Sequence, residues 1–301
     1  MSRKAQVQQE QAASLQLPNS VERHVTYFFT FALVILFVLE ASPEEHFRIF
    51  IALLLGFALS ITAFLLKWLT LDGAQSAGIL GALTFGLGGI NTALLMLVFF
   101  ITGSMITRKS QVLPQEKEFD FSRVGLYESR RNGKQVWANG FWFAIGIILW
   151  FTLDSLVFWT AAIASLSVAM ADTWGTEIGS RLDKTVLITS RKKVPSGTDG
   201  GVSTRGTIAS FLGSALLGLM SAFFYPENAL KIFLVITVVG FMGGLVDSLL
   251  GAYFQFEGRK FRIPILPFFK ELQKPLSNND VNLLATGFGF IATLILGSFL
   301  F

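Results

Sequence analysis

The sequence predicts an all-α fold: a polytopic transmembrane helix bundle of about nine spans, one of them short or re-entrant, in a single integral domain. Hydrophobic residues make up 52 % of 301 and charged residues 15 %, with a mean hydropathy of +0.58. The apolar residues fall in blocks of about 15–25, the length a helix needs to cross a hydrocarbon core roughly 30 Å thick. Lys and Arg are also segregated. Of the 24, all but Arg48 and Lys231 fall in the segments 1–24, 67–71, 108–135, 181–205 and 256–280. These are the alternate polar segments of a nine-span chain. By the positive-inside rule, the N-terminus is expected in the cytoplasm and the C-terminus outside.

Residues 1–24 are polar and glutamine-rich, and read as a disordered cytoplasmic arm ahead of an integral membrane catalytic domain, 25–301. The arm lacks the basic segment and apolar core of a cleavable signal peptide. The first span, 25–39, is closed by Glu40 and Pro43-Glu44-Glu45; the second, 47–66, ends at the interfacial pair Lys67-Trp68. From Asp72 to Thr107 the chain stays apolar, which as one helix would be about 54 Å long. Gly86-Leu87-Gly88-Gly89 is the natural break. It leaves a short third segment, 72–86, whose Gly73, Gly78 and Gly81 favour close packing or a re-entrant path, and a fourth, 91–107. Without the third span the positive bias of the two halves would conflict. Asp154 separates the fifth span, 136–153, from the sixth, 156–180; Pro226-Glu227-Asn228 separates the seventh, 205–225, from the eighth, 229–255. A Pro-rich basic loop, 256–280, leads to the ninth.

There is no cysteine, and His24 and His46 sit in polar flanks. Thiolate nucleophiles and disulfides are excluded, and the placement of the two histidines argues against imidazole metal sites and His-based triads. The chemistry is left to carboxylates, amides, hydroxyls, Lys and Arg.

Two acids stand at membrane depth. Asp172 lies about nine residues, or roughly 13 Å, inside its helix end, and Asp247 is similarly deep in the eighth span. Each would cost on the order of 3 kcal/mol unpaired, so such residues mark functional cavities more often than packing contacts. Protonation or pairing with an arginine is the alternative. Gly175 and Gly179 share the Asp172 face at i+3 and i+7, for ligand approach or for helix packing. Glu177, at i+5, points about 140° away and converges on Asp172 only if the helix loosens near Gly175.

The sixth span leads through Arg191-Lys192-Lys193 to the turn Ser196-Gly197-Thr198-Asp199-Gly200-Gly201, with Ser203 or Thr204 as helix cap. Lys192, Lys193, Thr198, Gly200 and Gly201 suit an anion at a helix N-terminus, although a basic juxtamembrane loop would look similar. The spacing is not that of a P-loop, and no strand is expected before it. Asn278-Asn279-Asp280 opens the ninth helix, with Asn282 one turn further in. Asn and Asp are ordinary caps; near a hard cation they would suit Mg²⁺. Arg131, in the cluster Arg130 to Gln135, and Asn139 form another polar group on the same side.

ADTWGTEIGS, KKVPSGTDGGVS, GGLVDSLLGAYFQ, NGKQVWANG and SNNDVNLL together resemble the family of integral membrane proteins that includes phytyl-phosphate kinase, over roughly residues 45–301. Asp172 with small residues at +3 and +7 is also similar to the motif of phytol kinase, dolichol kinase and CDP-diacylglycerol synthase. The resemblance implies transfer of a nucleotide γ-phosphoryl group to an isoprenyl monophosphate, giving the diphosphate. It implies catalytic roles for Asp172, Glu177 and Asp247, and a metal side of Asp172, Asp247, Asn279 and Asp280. Lys192, Lys193, Thr198, Gly200 and Gly201 would lie on the phosphate and nucleotide side; Arg131 and Asn139 are further candidates from their polar cluster, for which a plain juxtamembrane basic patch is the alternative. Mg²⁺ is the expected cofactor and CTP or another NTP the co-substrate. The lipid bilayer is the surrounding partner; no nucleic acid is expected, and an oligomer is left open. The expected setting is a bacterial cytoplasmic membrane with the site facing the cytoplasm. A CTP-dependent cytidylyltransferase on a lipid phosphate, or a lipid-phosphate or ion transporter, would also use buried acids.

Overall fold

A computed structural model of the chain describes residues 20–112, 130–179, 184–259 and 276–301. Nine α-helices are found among them: α1 Ser20–Leu39, α2 Pro43–Leu65, α3 Leu71–Gly86, α4 Gly89–Val112, α5 Gly133–Leu153, α6 Leu156–Gly179, α7 Thr204–Phe224, α8 Ala229–Leu250 and α9 Asn278–Leu300. Eight stretches are long and apolar enough to cross a membrane. The exception is α3, with 16 residues.

That short helix nevertheless runs the depth of its neighbour α2, in the opposite direction. Thr70 caps its first turn by accepting from Gly73 N. At the other end Arg48 Nε, near the start of α2, donates to the Gly86 carbonyl at 2.8 Å. Between them the two backbones touch: a Cβ on Gly56 would meet the Gly78 carbonyl oxygen at 2.9 Å. The glycines of the third segment therefore serve close packing, and α3 counts in the topology.

Two boundaries differ from expectation. Helix α1 begins at Ser20, so residues 20–24 belong to the bundle and not to the arm. The reason is burial of Glu22, 5 % exposed, whose carboxylate pairs with Lys134 Nζ on α5 at 3.5 Å. The first span ends at Leu39 as expected, but the second, expected from 47, begins at Pro43, so Pro43-Glu44-Glu45 is the first turn of α2. Ser42 and Glu45 form a reciprocal capping box there. The rest of the arm, 1–19, lies outside the described residues, as do 113–129 and 260–275 of the basic loops.

Helix α6 is the centre of the bundle and packs on α4, α5, α7, α8 and α9. Its run from Thr160 to Ala171 is buried throughout and rich in Ala and Ser, which lets helices approach closely without a large apolar driving force. Val168 fills slots left by Gly243 on α8 and Gly289 on α9.

The segment after α6 is not a plain loop. Strands β1 Thr185–Leu187, β2 Lys193–Val194 and β3 Gly201–Val202 form an antiparallel sheet in the order β2-β1-β3. Val186 faces Lys193 on one side and Val202 on the other. Strands of two or three residues are too short to show as an alternating pattern, so the expectation of a strand-free loop is corrected.

Candidate functional site

The C-terminal ends of α4, α6 and α8 meet the N-terminal ends of α5, α7 and α9 around a cleft of about 440 Å³. Asp172 on α6 and Asp247 on α8 face each other across it, close enough for their carboxyl groups to hydrogen-bond directly. Thr176 Oγ1 donates to Asp172 Oδ1 at 3.3 Å. With its amide nitrogen turned toward Asp247, Asn282 donates to Oδ2 at 3.2 Å and to the Asn278 carbonyl at 3.0 Å. Its oxygen then lies 3.2 Å from the position of Asn139 Oδ1, and accepts a hydrogen bond there when the Asn139 amide is turned as well. This orientation is assigned from the surrounding donors and acceptors. Asp247 is 9 % exposed, and two carboxylates that near each other need a proton or a cation between them.

The glycine turn reaches the cleft because the chain widens just beyond Asp247. Helix α8 passes there into a π-helical turn, Gly251–Phe256, of the kind that recurs at functional sites. Gly200, at φ +74°, lies against Ala252 so closely that any Cβ there would collide with its backbone. Docked in this way, the turn lines the cleft with Thr198, Asp199, Gly200 and Gly201, and Gln255 of the π turn lines it too. Ser203 caps α7 by accepting from Gly206 N at 3.2 Å and donates to the Gly179 carbonyl at 3.3 Å. It thereby ties the start of α7 to the end of α6.

Lys192 and Lys193 are exposed and do not line the cleft. Arg191 adopts a left-handed turn at φ +54° and directs both lysines along the outer edge of the sheet. Among the described residues, the cation that lines the cleft is Arg131. Its backbone is held from both sides: its N–H donates to the Trp68 carbonyl at 2.9 Å, and Thr70 N donates to its carbonyl at 3.1 Å. The guanidinium carbon lies 5.6 Å from the Phe99 ring centroid and 5.9 Å from that of Phe100. Gly103 leaves the slot it occupies, since a Cβ there would sit 2.6 Å from its Nη2. From this position it acts electrostatically on both Glu177 and Asp172.

Glu177 lines the cleft without any loosening of α6, which is continuous through Gly179. The cleft instead takes in residues all along the end of the helix, from Ala171 to Gly179. Gly175 and Gly179 face α7: the Cβ of an alanine would sit 3.3 Å from the Gly206 carbonyl at 175, and 2.8 Å from Gly206 Cα at 179.

On α9 it is Asn278 and Asn282, one turn apart on the same face, that reach the cleft. Asn279 and Asp280 are rotated off that face. The Asp280 carboxylate is engaged by Ser277, accepting from its N–H at 2.8 Å and its hydroxyl at 2.7 Å, so it serves as a helix cap. Sequence reasoning also passed over Asp199, whose only signal is an acid in a glycine turn. The residue is exposed, and partial desolvation of its carboxyl raises its pKa from the ordinary aspartate value.

Among the described residues Asp172, Glu177, Asp199 and Asp247 outnumber Arg131 in the cleft lining, a charge that a divalent cation entering with a phosphate chain would offset. No three His, Cys, Asp or Glu side chains converge among the described residues. A magnesium ion does not require that, since it is commonly held by one or two carboxylates, water and substrate phosphates. The Asp172–Asp247 pair fits such an ion.

Fold and cleft define an integral membrane helix bundle with an acid-lined polar site at one end. The chain belongs to the family described as Integral membrane protein DUF92, whose model matches residues 54–290. It is 30 % identical to an uncharacterized membrane protein of Methanocaldococcus jannaschii, over 85 % of this chain and 97 % of that one. It is 29 % identical to Protein PGR of Arabidopsis thaliana, over 73 % of this chain and 83 % of the relative. Against Protein VTE6, chloroplastic, from the same plant, the figures are 28 %, 78 % and 67 %. No solved structure matches.

Proposed function

We propose that the chain is a membrane-embedded kinase that transfers the γ-phosphoryl group of a nucleotide, CTP or another NTP, to an isoprenyl monophosphate. The observation that carries this reading is the Asp172–Asp247 pair in a cleft that also holds Arg131, a glycine turn and the first turn of α7. Phosphoryl transfer needs positioning and charge neutralisation more than a protein nucleophile, which suits a site without Cys or His. An acceptor phosphate oxygen attacks Pγ, the Pγ–O bond to the β-phosphate breaks, and the nucleoside diphosphate leaves with that electron pair. Asp172 and Asp247, with Asn282 orienting Asp247, would hold Mg²⁺, which neutralises charge on the transferring phosphates when bound. Thr198, Gly200, Gly201 and the Ser203-capped start of α7 would receive the triphosphate, and Arg131 would offset charge on the transferring group. The resemblance to the family that includes phytyl-phosphate kinase supports the acceptor class. The Lys- and Arg-rich segments join helices at the cleft end, which supports a cytoplasmic site.

The test is purified protein in nanodiscs with Mg²⁺, labelled nucleotides and a panel of prenyl monophosphates, read by mass spectrometry. A prenyl diphosphate together with a nucleoside diphosphate is expected. Release of CMP together with a cytidylylated lipid would replace the kinase reading with cytidylyl transfer.

A further inference from the structure

A second cavity, of about 110 Å³, lies between α2 and α4 over α3. Its lining is almost wholly apolar, with Gly56 and Leu59 on α2, Leu80 and Gly81 on α3 and Met96 and Phe100 on α4 among its walls. The hydroxyl of Ser60, also in its wall, is taken by the Phe57 carbonyl at 2.9 Å. Arg131, Gln135 and Asn139 line both this groove and the acidic cleft, so the two adjoin at one polar junction. Leu59 is 51 % exposed on the outer surface of α2, which places the far side of the groove against lipid.

We infer that this groove holds the head-proximal part of the isoprenyl tail, with the acceptor phosphate at Arg131, Gln135 and Asn139. The inference rests on the kinase reading and divides its cleft into two halves. The acceptor enters sideways from the bilayer to the Arg131 end, and the nucleotide occupies the end under the glycine turn. A molecule spanning groove and junction needs an apolar chain ending in an anion, which is the chemistry of a prenyl monophosphate. About 10 Å of helix rise separates Ala63, near the junction, from Gly56. A longer tail must therefore leave the groove for the bilayer.

The experiment is photolabelling in nanodiscs, without nucleotide, using a diazirine placed early in the tail of geranylgeranyl monophosphate, then peptide mapping. Labels are expected on α2, α3 and α4 around Ala63, Ala77 and Met96, and should be competed by unlabelled geranylgeranyl monophosphate. Labels on the outer faces of α7 and α8, or competition by phosphatidylglycerol alone, would overturn the groove. A variant reads the same point through turnover. Ala77, half-buried in the groove wall, is replaced by leucine. The ratio of kcat/KM for geranylgeranyl over dimethylallyl monophosphate should fall at least tenfold; an equal fall for both would overturn the inference. Transfer with labels elsewhere would sink the groove and leave the kinase reading standing. Groove labelling without transfer by any nucleotide would do the reverse.

Discussion

Gly179 on α6 and Gly206 on α7 meet backbone to backbone: a Cβ on Gly179 would lie 2.8 Å from Gly206 Cα and 2.9 Å from Ser203 Oγ. Gly206 Cα is backbone, and Ser203 Oγ is held by its bonds to Gly206 N and the Gly179 carbonyl, so the helices must part to admit a methyl group. Gly179→Ala is expected to destabilise the bundle by about 1–3 kcal/mol, the usual range for overpacking, and to lower activity by displacing Ser203 and the glycine turn. A thermal unfolding midpoint in detergent equal to the parent's would contradict this account.

Removing either member of the acid pair tests the chemistry. Asp172→Asn and Asp247→Asn should each lower kcat by at least about 100-fold, the scale seen when one charge-stabilising group is lost. Both variants should still insert and unfold cooperatively, since Asn preserves the shape. Chelation with EDTA should abolish turnover in the parent, and Mg²⁺ should restore it. Full activity in both variants would remove the metal role.

Lys192 and Lys193 offer a contrasting test. Both are exposed and off the cleft, so Lys192→Ala with Lys193→Ala should change kcat by less than about threefold, as surface changes away from a site usually do. Arg131→Ala should lower kcat/KM by about 100-fold or more, and Arg131→Lys should recover only part, because the guanidinium is stacked as well as charged. Equal losses from both sets of variants would return the phosphate role to the loop.

At the start of α9, Asp280→Ala removes the acceptor of two Ser277 hydrogen bonds. A stability loss of about 1 kcal/mol is expected, as for other helix caps, with KM for Mg²⁺ unchanged. A weakened Mg²⁺ dependence would show that Asp280 belongs to the metal site.

The bundle was legible in the sequence because its signals are local. A span is a run of apolar residues of bilayer length, and a deep acid such as Asp172 or Asp247 stands out by its cost in hydrocarbon. The short third helix was legible by parity, since without it the basic segments fall on both sides. The same signals pointed to Asp172 and Asp247 as partners and to Arg131 and Asn139 as members of one polar group.

Tertiary structure decided what depends on direction. A helix rotates by about 100° per residue, so the register of α9 sends Asn278 and Asn282 into the cleft and turns Asn279 and Asp280 away. Neighbouring basic residues look alike in composition. Arg131 enters the cleft because residues 68–70 hold its backbone and Gly103 leaves space for its guanidinium, whereas the turn at Arg191 sends Lys192 and Lys193 outward. Hydropathy alone determined where the membrane is crossed and which side gathers the charge. The side chains that meet in the cleft were determined by close contacts between backbones distant in the chain, such as Gly200 against Ala252 and Gly179 against Gly206.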